Sequence, residues 1–329
     1  MEKRILMRTV VIFVLGWVVL SGCGSRDKSE SAGTLTSITS GRSLKSLGSW
    51  NPDGNWLVYS ERLGENDFRL SKIDVQSQEV VNLLKASQEL TSPAWSPKGN
   101  LIAFGLSGDV WMVGVDGSNR RQLTYSGNLR GNIVWNSSGD HLYVHNGSTD
   151  SAWSIYYVNA QTGEGRELIK KPPPNIVGIG RPRPKGGIPA WGFTDEGCWL
   201  YEINPTTGAI DPVISLPPGT ERKGRNTWLM KADPSPDGRF VVYQEGLNAS
   251  GGIWLIRPDG TDQRRIVSNK QIGIGANGAI WSPNYDVIAF VVFEHDPEFY
   301  GGLTSEISLF RFDEAGLAKL RSEGGEKKE

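Results

Sequence analysis

Short apolar runs recur along most of the chain, and each is too brief and too evenly apolar to be an amphipathic helix. Residues 101–104, 240–243 and 287–290 are apolar at both odd and even positions. Such runs are typical of β-strands that are buried on both faces. Between residues 47 and 321 no long stretch has the 3.6-residue periodicity of an amphipathic helix. The pattern therefore predicts an all-β region built from short, buried strands.

A turn motif containing tryptophan, proline and glycine precedes these strands. Trp-Asn-Pro-Asp-Gly at 50–54 recurs as Trp-Ser-Pro-Lys-Gly at 95–99, Trp-Asn-Ser-Ser-Gly at 135–139 and Trp-Ser-Pro-Asn at 281–284. Variants without the tryptophan occur at 182–186 and 234–238. The third motif position falls at residues 52, 97, 137, 184, 236 and 283, so successive copies are 40 to 52 residues apart. This period indicates one four-stranded propeller blade per repeat.

Two further features keep their spacing from copy to copy. Seven residues after the third motif position the residue is aromatic in five of six copies: Tyr59, Phe104, Val144, Trp191, Tyr243 and Phe290. A third apolar run then precedes Asp-Gly at 116–117 and at 259–260, where aspartate and glycine favour a tight hairpin turn. Each repeat therefore reads as strands A, B, C and D of one blade. We interpret the recurring tryptophans as packing between blades.

These repeats predict a six-bladed β-propeller of four-stranded antiparallel blades over residues 47–321, with a charged tail at 322–329. Two segments compete for the outer strand of the last blade. One is 317–321, near the C-terminus, and the other is Thr34-Leu35-Thr36, which is similar to Gln122-Leu123-Thr124. We favour the C-terminal segment slightly.

The repeat at 95–104 with its continuation at 110–117 and 122–124 resembles the TolB-type, WD40-like propeller repeat. The resemblance extends over about residues 47–321 and implies the propeller fold. TolB proteins also have an α/β domain before the propeller, and about 26 residues between Cys23 and Trp50 are too few to form one. The resemblance does not define a function, since this repeat serves many roles.

Composition narrows the possible chemistry. The chain has 329 residues with 41 Gly, 18 Pro and 12 Trp, but only 3 His and 2 Cys, and a net charge of −1. These counts exclude a disulfide scaffold and disfavour a His/Cys metal centre or a thiol redox centre. An all-carboxylate calcium site stays open as an alternative. The charge gives no footprint for nucleic acid, and no nucleophile elbow, P-loop or zinc-protease motif is present. We predict no cofactor.

The N-terminus has the pattern of an export signal. Basic residues precede an uncharged apolar stretch at 9–20, and the boundary at 20–23 reads Leu-Ser-Gly-Cys. This boundary resembles the lipobox of bacterial lipoproteins, which implies lipidation of Cys23 and removal of residues 1–22. An uncleaved signal anchor and secretion without lipid are the alternatives. Residues 23–46 are expected to be a flexible tether, because serine, glycine and threonine dominate them.

Candidate binding residues lie in the long connections. In an antiparallel blade the B–C and D–A connections share one face, and here they are the longer ones. We expect a binding face there, formed by Arg130, by a basic cluster and by an aromatic cluster that also contains acidic residues. The named candidates are Arg130, Arg222, Lys223, Arg225, His295, Phe299 and Tyr300.

A second group of candidates follows from the inner strands. The residue before the motif tryptophan should line the central channel, and it reads Ser49, Ala94, Val134, Arg181, Asp233 and Ile280. Arg181 and Asp233 fall on adjacent blades at one level, which predicts an ion pair near the axis. His141 and His145 are four residues apart in strand B, and we favour a structural role for them over a metal pair.

These observations predict a monomeric, non-catalytic, lipid-anchored propeller that binds a protein or peptide at the bacterial cell envelope. The alternative is a propeller that binds or cleaves carbohydrate. A propeller that gates a peptidase would need a hydrolase domain, for which the residues after Phe312 are too few. The sequence leaves the ligand unidentified, and it does not say which membrane would hold the anchor.

Overall fold

Six four-stranded antiparallel sheets are arranged as blades around a central axis, as the repeats predict. The computed structural model describes residues 33–129, 131–147, 153–170, 175–182, 187–194, 197–215, 229–245, 252–268 and 270–322. Within each of the first five blades, consecutive strands pair in chain order from the axis outward. The chain therefore has the predicted six-bladed β-propeller fold.

Blades 1 to 3 each consist of four strands that are consecutive in the chain. The first strand of the described chain, β1 (Gly33–Ser37), belongs to blade 6. Blade 1 consists of β2 (Leu44–Trp50), β3 (Trp56–Arg62), β4 (Phe68–Asp74) and β5 (Val80–Ala86). Blade 2 consists of β6 (Leu90–Trp95), β7 (Leu101–Leu106), β8 (Asp109–Gly114) and β9 (Arg121–Gln122). Blade 3 consists of β10 (Ile133–Trp135), β11 (His141–Gly147), β12 (Trp153–Asn159) and β13 (Gly165–Lys170).

Blades 4 to 6 complete the ring. Blade 4 consists of β14 (Asn175–Ile179), β15 (Ile188–Thr194), β16 (Gly197–Ile203) and β17 (Ile210–Ser215). Blade 5 consists of β18 (Leu229–Pro234), β19 (Val241–Glu245), β20 (Gly252–Ile256) and β21 (Arg264–Ser268). Blade 6 consists of β22 (Gly275–Trp281), β23 (Val287–His295), β24 (Leu303–Phe312) and, outermost, β1 (Gly33–Ser37).

The closing strand comes from the N-terminal side, so our preference for residues 317–321 was wrong. β1 pairs with β24 from Gly33 opposite Phe312 to Ser37 opposite Ser308. Residues 317–321 instead belong to helix α1 (Glu314–Ser322), whose first turn is capped by Asp313 through the backbone N–H of Gly316 at 2.7 Å. Leu317 and Leu320 are three residues apart, which suits one face of a helix rather than a strand.

The same pairing corrects the predicted boundaries. Residues 33–46 were expected to belong to a flexible tether, but β1 lies within them and β2 starts at Leu44. Ile38, between the two strands, is buried in the core between blades 6 and 1. The tether prediction was wrong for this segment because serine and threonine that alternate with other residues also suit an edge strand with one exposed face. The described part of the propeller therefore begins at Gly33, while residues 1–32 and 323–329 lie outside the described residues.

The core lies between the blades. The motif tryptophans Trp50, Trp95, Trp135 and Trp281 are buried there, as predicted. So are the six residues seven positions after the third motif position: Tyr59, Phe104, Val144, Trp191, Tyr243 and Phe290. Trp281 stacks on Tyr285 and on Phe312, with ring centroids 5.1 and 5.6 Å apart. Burying both faces of each blade accounts for strands that are apolar at both parities.

We call one end of the propeller the turn face and the other the loop face. The turn face carries the A–B turns, such as 51–55, 136–140 and 282–286, and the C–D turns, such as 115–120. The loop face carries the B–C and D–A connections, such as 63–67, 123–132, 296–302 and the linker 38–43.

Side chains inside several of the motifs organise the turn face. Asn51 Oδ1 accepts the backbone N–H groups of Asn55 at 2.9 Å and Trp56 at 2.8 Å. Asn136 does the same for two donors, and Ser282 Oγ accepts the N–H of Val287 at 3.1 Å. Asp116 accepts the N–H of Ser118 at 3.0 Å, so it acts as a turn residue.

Candidate functional site

A cavity of about 1190 Å³ runs along the propeller axis. Its wall includes the residue directly before the first motif position in all six blades, as the sequence predicts: Ser49, Ala94, Val134, Arg181, Asp233 and Ile280. The cavity also reaches the first residues of β2 and β6 at the loop face and the motif prolines Pro52, Pro97 and Pro283 at the turn face. The inner strands thus surround a continuous channel from face to face.

The ion pair predicted between Arg181 and Asp233 is present in this channel. Arg181 Nη2 lies 3.3 Å from Asp233 Oδ2 and 3.3 Å from the backbone oxygen of Trp281. Asp233 Oδ2 also accepts the backbone N–H of Trp281 at 2.9 Å. The Asp233 side chain is only 5% exposed, whereas that of Arg181 is 44% exposed. The pair therefore links blades 4, 5 and 6 and presents the guanidinium to the channel; a role in ligand binding stays a prediction.

The residue directly before the motif also joins blades 1 and 2. Ser49 Oγ accepts the backbone N–H of Trp95 at 2.7 Å. In the next blade the backbone oxygen of Ala94 accepts the indole N–H of Trp135 at 2.9 Å. This role was not predicted from the sequence. The signal for it was a polar residue directly before the motif in blades 1 and 5, which can accept a hydrogen bond from the next blade. Side chains at this level hold neighbouring inner strands together.

Inner strands carry irregularities along the channel. The pairing of strand A with strand B shifts register in β2, β6, β14, β18 and β22. In β6 the shift includes Ser92, whose φ angle is +48°, and in β22 it includes Gly278 at +73°. A bulge leaves one residue outside the regular ladder and re-aims side chains locally. The A–B pairing along the channel is therefore less regular than the B–C pairing, which has no register shift in any blade.

At the loop face the cavity opens between blades 6, 1 and 2. This mouth combines charged and aromatic side chains: Glu61, Arg62, Phe68, Gln88, Glu89 and Phe293. The Arg62 guanidinium lies 4.0 Å from the centroid of the Tyr300 ring and 5.3 Å from that of Phe68. Arg62 Nε also donates to the backbone oxygen of Gly64 at 3.0 Å. The mouth thus has one wall of ordered aromatic and cationic groups.

The predicted aromatic and acidic cluster forms the hairpin at 296–302. His295 is the last residue of β23, paired with Leu303, and is exposed; the sequence analysis had placed it in a loop. Phe299 is half-buried, and Tyr300 is 50% exposed beneath Arg62. These three candidates lie together on the loop face, as expected.

Arg42 holds the acidic side of this hairpin. Its Nε and Nη2 donate to the two carboxylate oxygens of Asp296 at 2.8 and 2.9 Å, and Nη2 reaches Glu298 at 3.3 Å. Hydrogen bonding to Arg42 lowers the pKa of the Asp296 carboxyl. Arg42 belongs to the linker that was expected to be a tether, so the sequence analysis could not identify it as a partner.

Lys45 is a further residue that the sequence analysis missed. It lines the channel near the mouth but is only 4% exposed. Its Nζ donates to Ser43 Oγ at 2.8 Å, to the backbone oxygen of Ser305 at 2.9 Å and to that of Gly41 at 3.5 Å. Burial lowers the pKa of Lys45, although the nearby carboxylate of Glu61 opposes this shift. Lys45 ties the linker and β24 to blade 1.

Of the remaining candidates, the two strand histidines lie within the described residues and the others do not. His141 stacks on Tyr157 with centroids 4.3 Å apart, and His145 is buried with Nε2 3.1 Å from the backbone oxygen of Ile176. Burial lowers the pKa of His145. Both histidines are used within blades 3 and 4, in keeping with a structural role. Cys23, Arg130, Arg222, Lys223 and Arg225 lie outside the described residues.

The described residues contain no group of three or more His, Cys, Asp or Glu side chains placed to hold a metal ion. Among the same residues, no helix has both the length and the apolar character needed to cross a bilayer.

Comparison with known proteins finds propellers with different activities. Residues 67–153 match the family described as the dipeptidyl peptidase IV N-terminal region. The chain is 26% identical over 238 residues to oligogalacturonate lyase of Dickeya dadantii, covering 64% of this chain and 61% of that enzyme. It thus spans less than two thirds of the length of this relative.

Solved structures agree on the architecture. TolB from Acinetobacter baumannii superposes with a TM-score of 0.58 at 13% identity, covering 81% of this chain and 63% of that one. An oligogalacturonate lyase in complex with manganese superposes with a TM-score of 0.61 at 10% identity, covering 88% and 96%. Identities this low show the fold alone. The chain has the TolB-like β-propeller fold, which it shares with solved structures of TolB and of oligogalacturonate lyase.

Proposed function

We propose that this protein is a lipid-anchored, non-catalytic binding protein of the bacterial cell envelope, which takes a protein or peptide segment into the loop-face mouth of its channel. The observation that carries the proposal is the open axial cavity of about 1190 Å³. Pockets for small ligands usually measure roughly 300–1,000 Å³. A channel of this size and length suits an extended segment of a polymer better than a small metabolite.

The chemistry of the wall supports a peptide. Ser46, Thr91, Asn132 and Asn277 line the cavity with short hydrogen-bonding side chains, and bulges interrupt the inner strands. An extended peptide presents alternating backbone donors and acceptors that such groups can match. The aromatic wall formed by Phe68, Phe293 and Tyr300 at the mouth offers contact area for apolar side chains.

The arrangement of charges argues for binding rather than catalysis. In the channel, Arg181 and Asp233 are paired with each other, and Lys45 is held by three oxygen acceptors. A carbonyl oxygen can only accept, so His145 carries its proton on Nε2 and uses it toward Ile176. General acid–base catalysis needs a group within reach of substrate and with a suitable pKa. Arg181, Asp233 and Lys45 are thus already engaged in holding blades together.

A photo-cross-linking experiment tests the binding site in cells. A benzophenone amino acid at Glu89 lies at the mouth, and the matched control at Ser138 lies on the turn face. We expect a discrete protein adduct from position 89 only, and we expect Val134→Trp, which fills the channel, to abolish it. Equal adducts from both positions, or an adduct that survives channel filling, would contradict the proposal.

Carbohydrate binding or cleavage is the second candidate, and the similarity to oligogalacturonate lyase favours it. Its test is direct: the purified protein is incubated with oligogalacturonates, and unsaturated products are followed by ultraviolet absorbance. Calorimetry on the same samples detects binding without turnover. Product formation that Val134→Trp suppresses would replace the first proposal, while binding without turnover would change only the class of ligand.

A further inference from the structure

The path of the closing strand fixes where the N-terminal segment leaves the propeller. Gly33 is paired with Phe312, and the N–H of Phe312 donates to the backbone oxygen of Asp286 at 3.0 Å, within an A–B turn. Ser37 is paired with Ser308, farther toward the loop face. β1 therefore enters blade 6 at the turn face and runs toward the loop face. The residues before Gly33 connect to the turn-face edge of the outermost strand.

Chain length limits how far that attachment point can move from an anchor at Cys23. Ten Cα–Cα steps separate Cys23 from Gly33, and these span at most about 36 Å when fully extended. A flexible chain of this composition has a root-mean-square length of only about 17 Å. β24 alone has 10 residues, or about 33 Å from one face to the other. To bring the loop face to a membrane, the tether would have to run the full height of blade 6 at nearly full extension.

Electrostatic attraction at the turn face is not needed for this orientation. Two of the cations described there have carboxylate partners: Lys98 lies 2.5 Å from Asp140, and Arg239 lies 2.6 Å from Asp237. The described turn-face segments also contain Asp53, Asp116 and Asp259, so acidic residues balance basic ones. A surface of mixed charge is not strongly attracted to anionic headgroups. The position of the attachment point, rather than adsorption, sets the orientation.

We infer that the turn face is the membrane-proximal face and that the loop-face mouth of the channel opens toward the aqueous compartment. This inference rests on the anchoring at Cys23 that is part of the proposed function. The occupant of the mouth is then a macromolecule that reaches it from the aqueous compartment, and not a lipid of the membrane that holds the anchor. The mouth is left clear for a large partner while the protein stays attached.

Energy transfer to labelled lipid headgroups tests the orientation. The full chain is produced in a bacterial host, and the membrane-bound form is placed in nanodiscs. Clickable p-azidophenylalanine carries the donor at Asn284 on the turn face or at Glu298 on the loop face, both in blade 6. A second matched pair uses Ser138 on the turn face and Tyr125 on the loop face. We expect higher transfer from 284 than from 298 and from 138 than from 125, equally in zwitterionic and anionic lipids.

Mass spectrometry of the N-terminal peptide distinguishes a failure of the anchoring proposal from a failure of the inferred orientation. A peptide without acyl groups on Cys23 overturns the anchoring proposal alone. The orientation is then measured with Cys23 coupled to a maleimide lipid in a Cys198→Ser background, so that it is read in either case. Equal or reversed transfer within the two pairs, in protein attached at Cys23, overturns the orientation whatever the state of natural lipidation.

Discussion

The two faces of this propeller are built by contacts of different range. On the turn face, the acceptor side chains of Asn51, Asn136 and Ser282 serve donors four or five residues away. On the loop face, Arg42 reaches Asp296 across 254 residues, and Lys45 reaches Ser305 across 260. The turn face is therefore specified within each repeat, whereas this part of the loop face exists only where blade 6 meets blade 1.

This difference shows how one scaffold can serve many functions. A turn whose hydrogen bonds are local forms wherever the motif occurs, so it tolerates little change of pattern but needs no distant partner. A surface held by distant pairs can change when either partner changes, while the blades keep their turns. Binding residues are accordingly expected on the loop face. Four predictions test this contrast.

The largest effect is expected at Lys45. Lys45→Ala removes a buried donor from three acceptors, and leaving such groups unsatisfied should lower the free energy of unfolding by about 2–4 kcal/mol. Urea titration followed by tryptophan fluorescence measures the change. Ser46→Ala, at the exposed neighbouring position, is the control and should change little. A loss at Lys45 below about 0.5 kcal/mol, the range of ordinary surface substitutions, would contradict the importance of this contact.

A smaller effect is expected at Asn51, where the contrast can be sharpened. Asn51→Ala removes the acceptor of two backbone donors and should cost about 1–2 kcal/mol. Asn51→Ser should recover most of that loss, because serine serves at this motif position in blades 5 and 6. Thermal unfolding of the three proteins gives the comparison. If the serine variant is as unstable as the alanine variant, the turns are not interchangeable.

His145 should give the protein a modest dependence on pH. Burial lowers the pKa of His145 in the folded state, while the unfolded value is about 6.5. The stability contributed by the neutral ring is therefore present above about pH 6.5 and is lost as the pH falls below it. His145→Gln should reduce the loss of unfolding free energy between about pH 7 and pH 5. A variant with an unchanged pH slope would show that His145 does not contribute; His295→Gln, at an exposed site, serves as the control.

The smallest effect on stability is expected at Arg42. Its side chain is 56% exposed, so solvent and salt screen its ion pair with Asp296. Arg42→Ala should barely move the unfolding midpoint but should speed hydrogen exchange in the hairpin at 296–302. Arg42→Lys keeps the charge but loses the two-pronged contact, so it should give an intermediate exchange rate. Unchanged exchange in both variants would mean that the pair does not order the hairpin.

Repeats made most of the fold predictable. The number of blades, the four strands in each, the buried aromatic positions and the pair between Arg181 and Asp233 all follow from residues at constant spacing. The strands and the buried positions recur in every blade, and the ion pair occurs once but joins residues at equivalent positions of two blades. Comparing the copies with one another therefore allows the blades, their strands and their buried positions to be predicted from the sequence.

Features that occur once were the ones that the sequence could not assign. The closing strand, the three acceptors of Lys45 and the partner of Arg42 all join residues from opposite ends of the chain. No local pattern marks such pairs, and Thr34-Leu35-Thr36 is as short and ordinary as the competing segment at 317–321. The three-residue spacing of Leu317 and Leu320, which predicts a helix, was the signal that should have decided the closure.

The closing strand also has a consequence for the order of events during synthesis. Ribosomes make β1 before any other strand, yet its partner β24 is the last, and Ser37 meets Glu306 only 269 residues later. Five blades can form without β24, but the first strand must wait unpaired until the last strand is available. Contacts so distant in sequence slow folding and leave strand edges exposed in the meantime. A chain that stops before β24 therefore has an open ring, in which β1 and β23 each lack the partner that β24 provides.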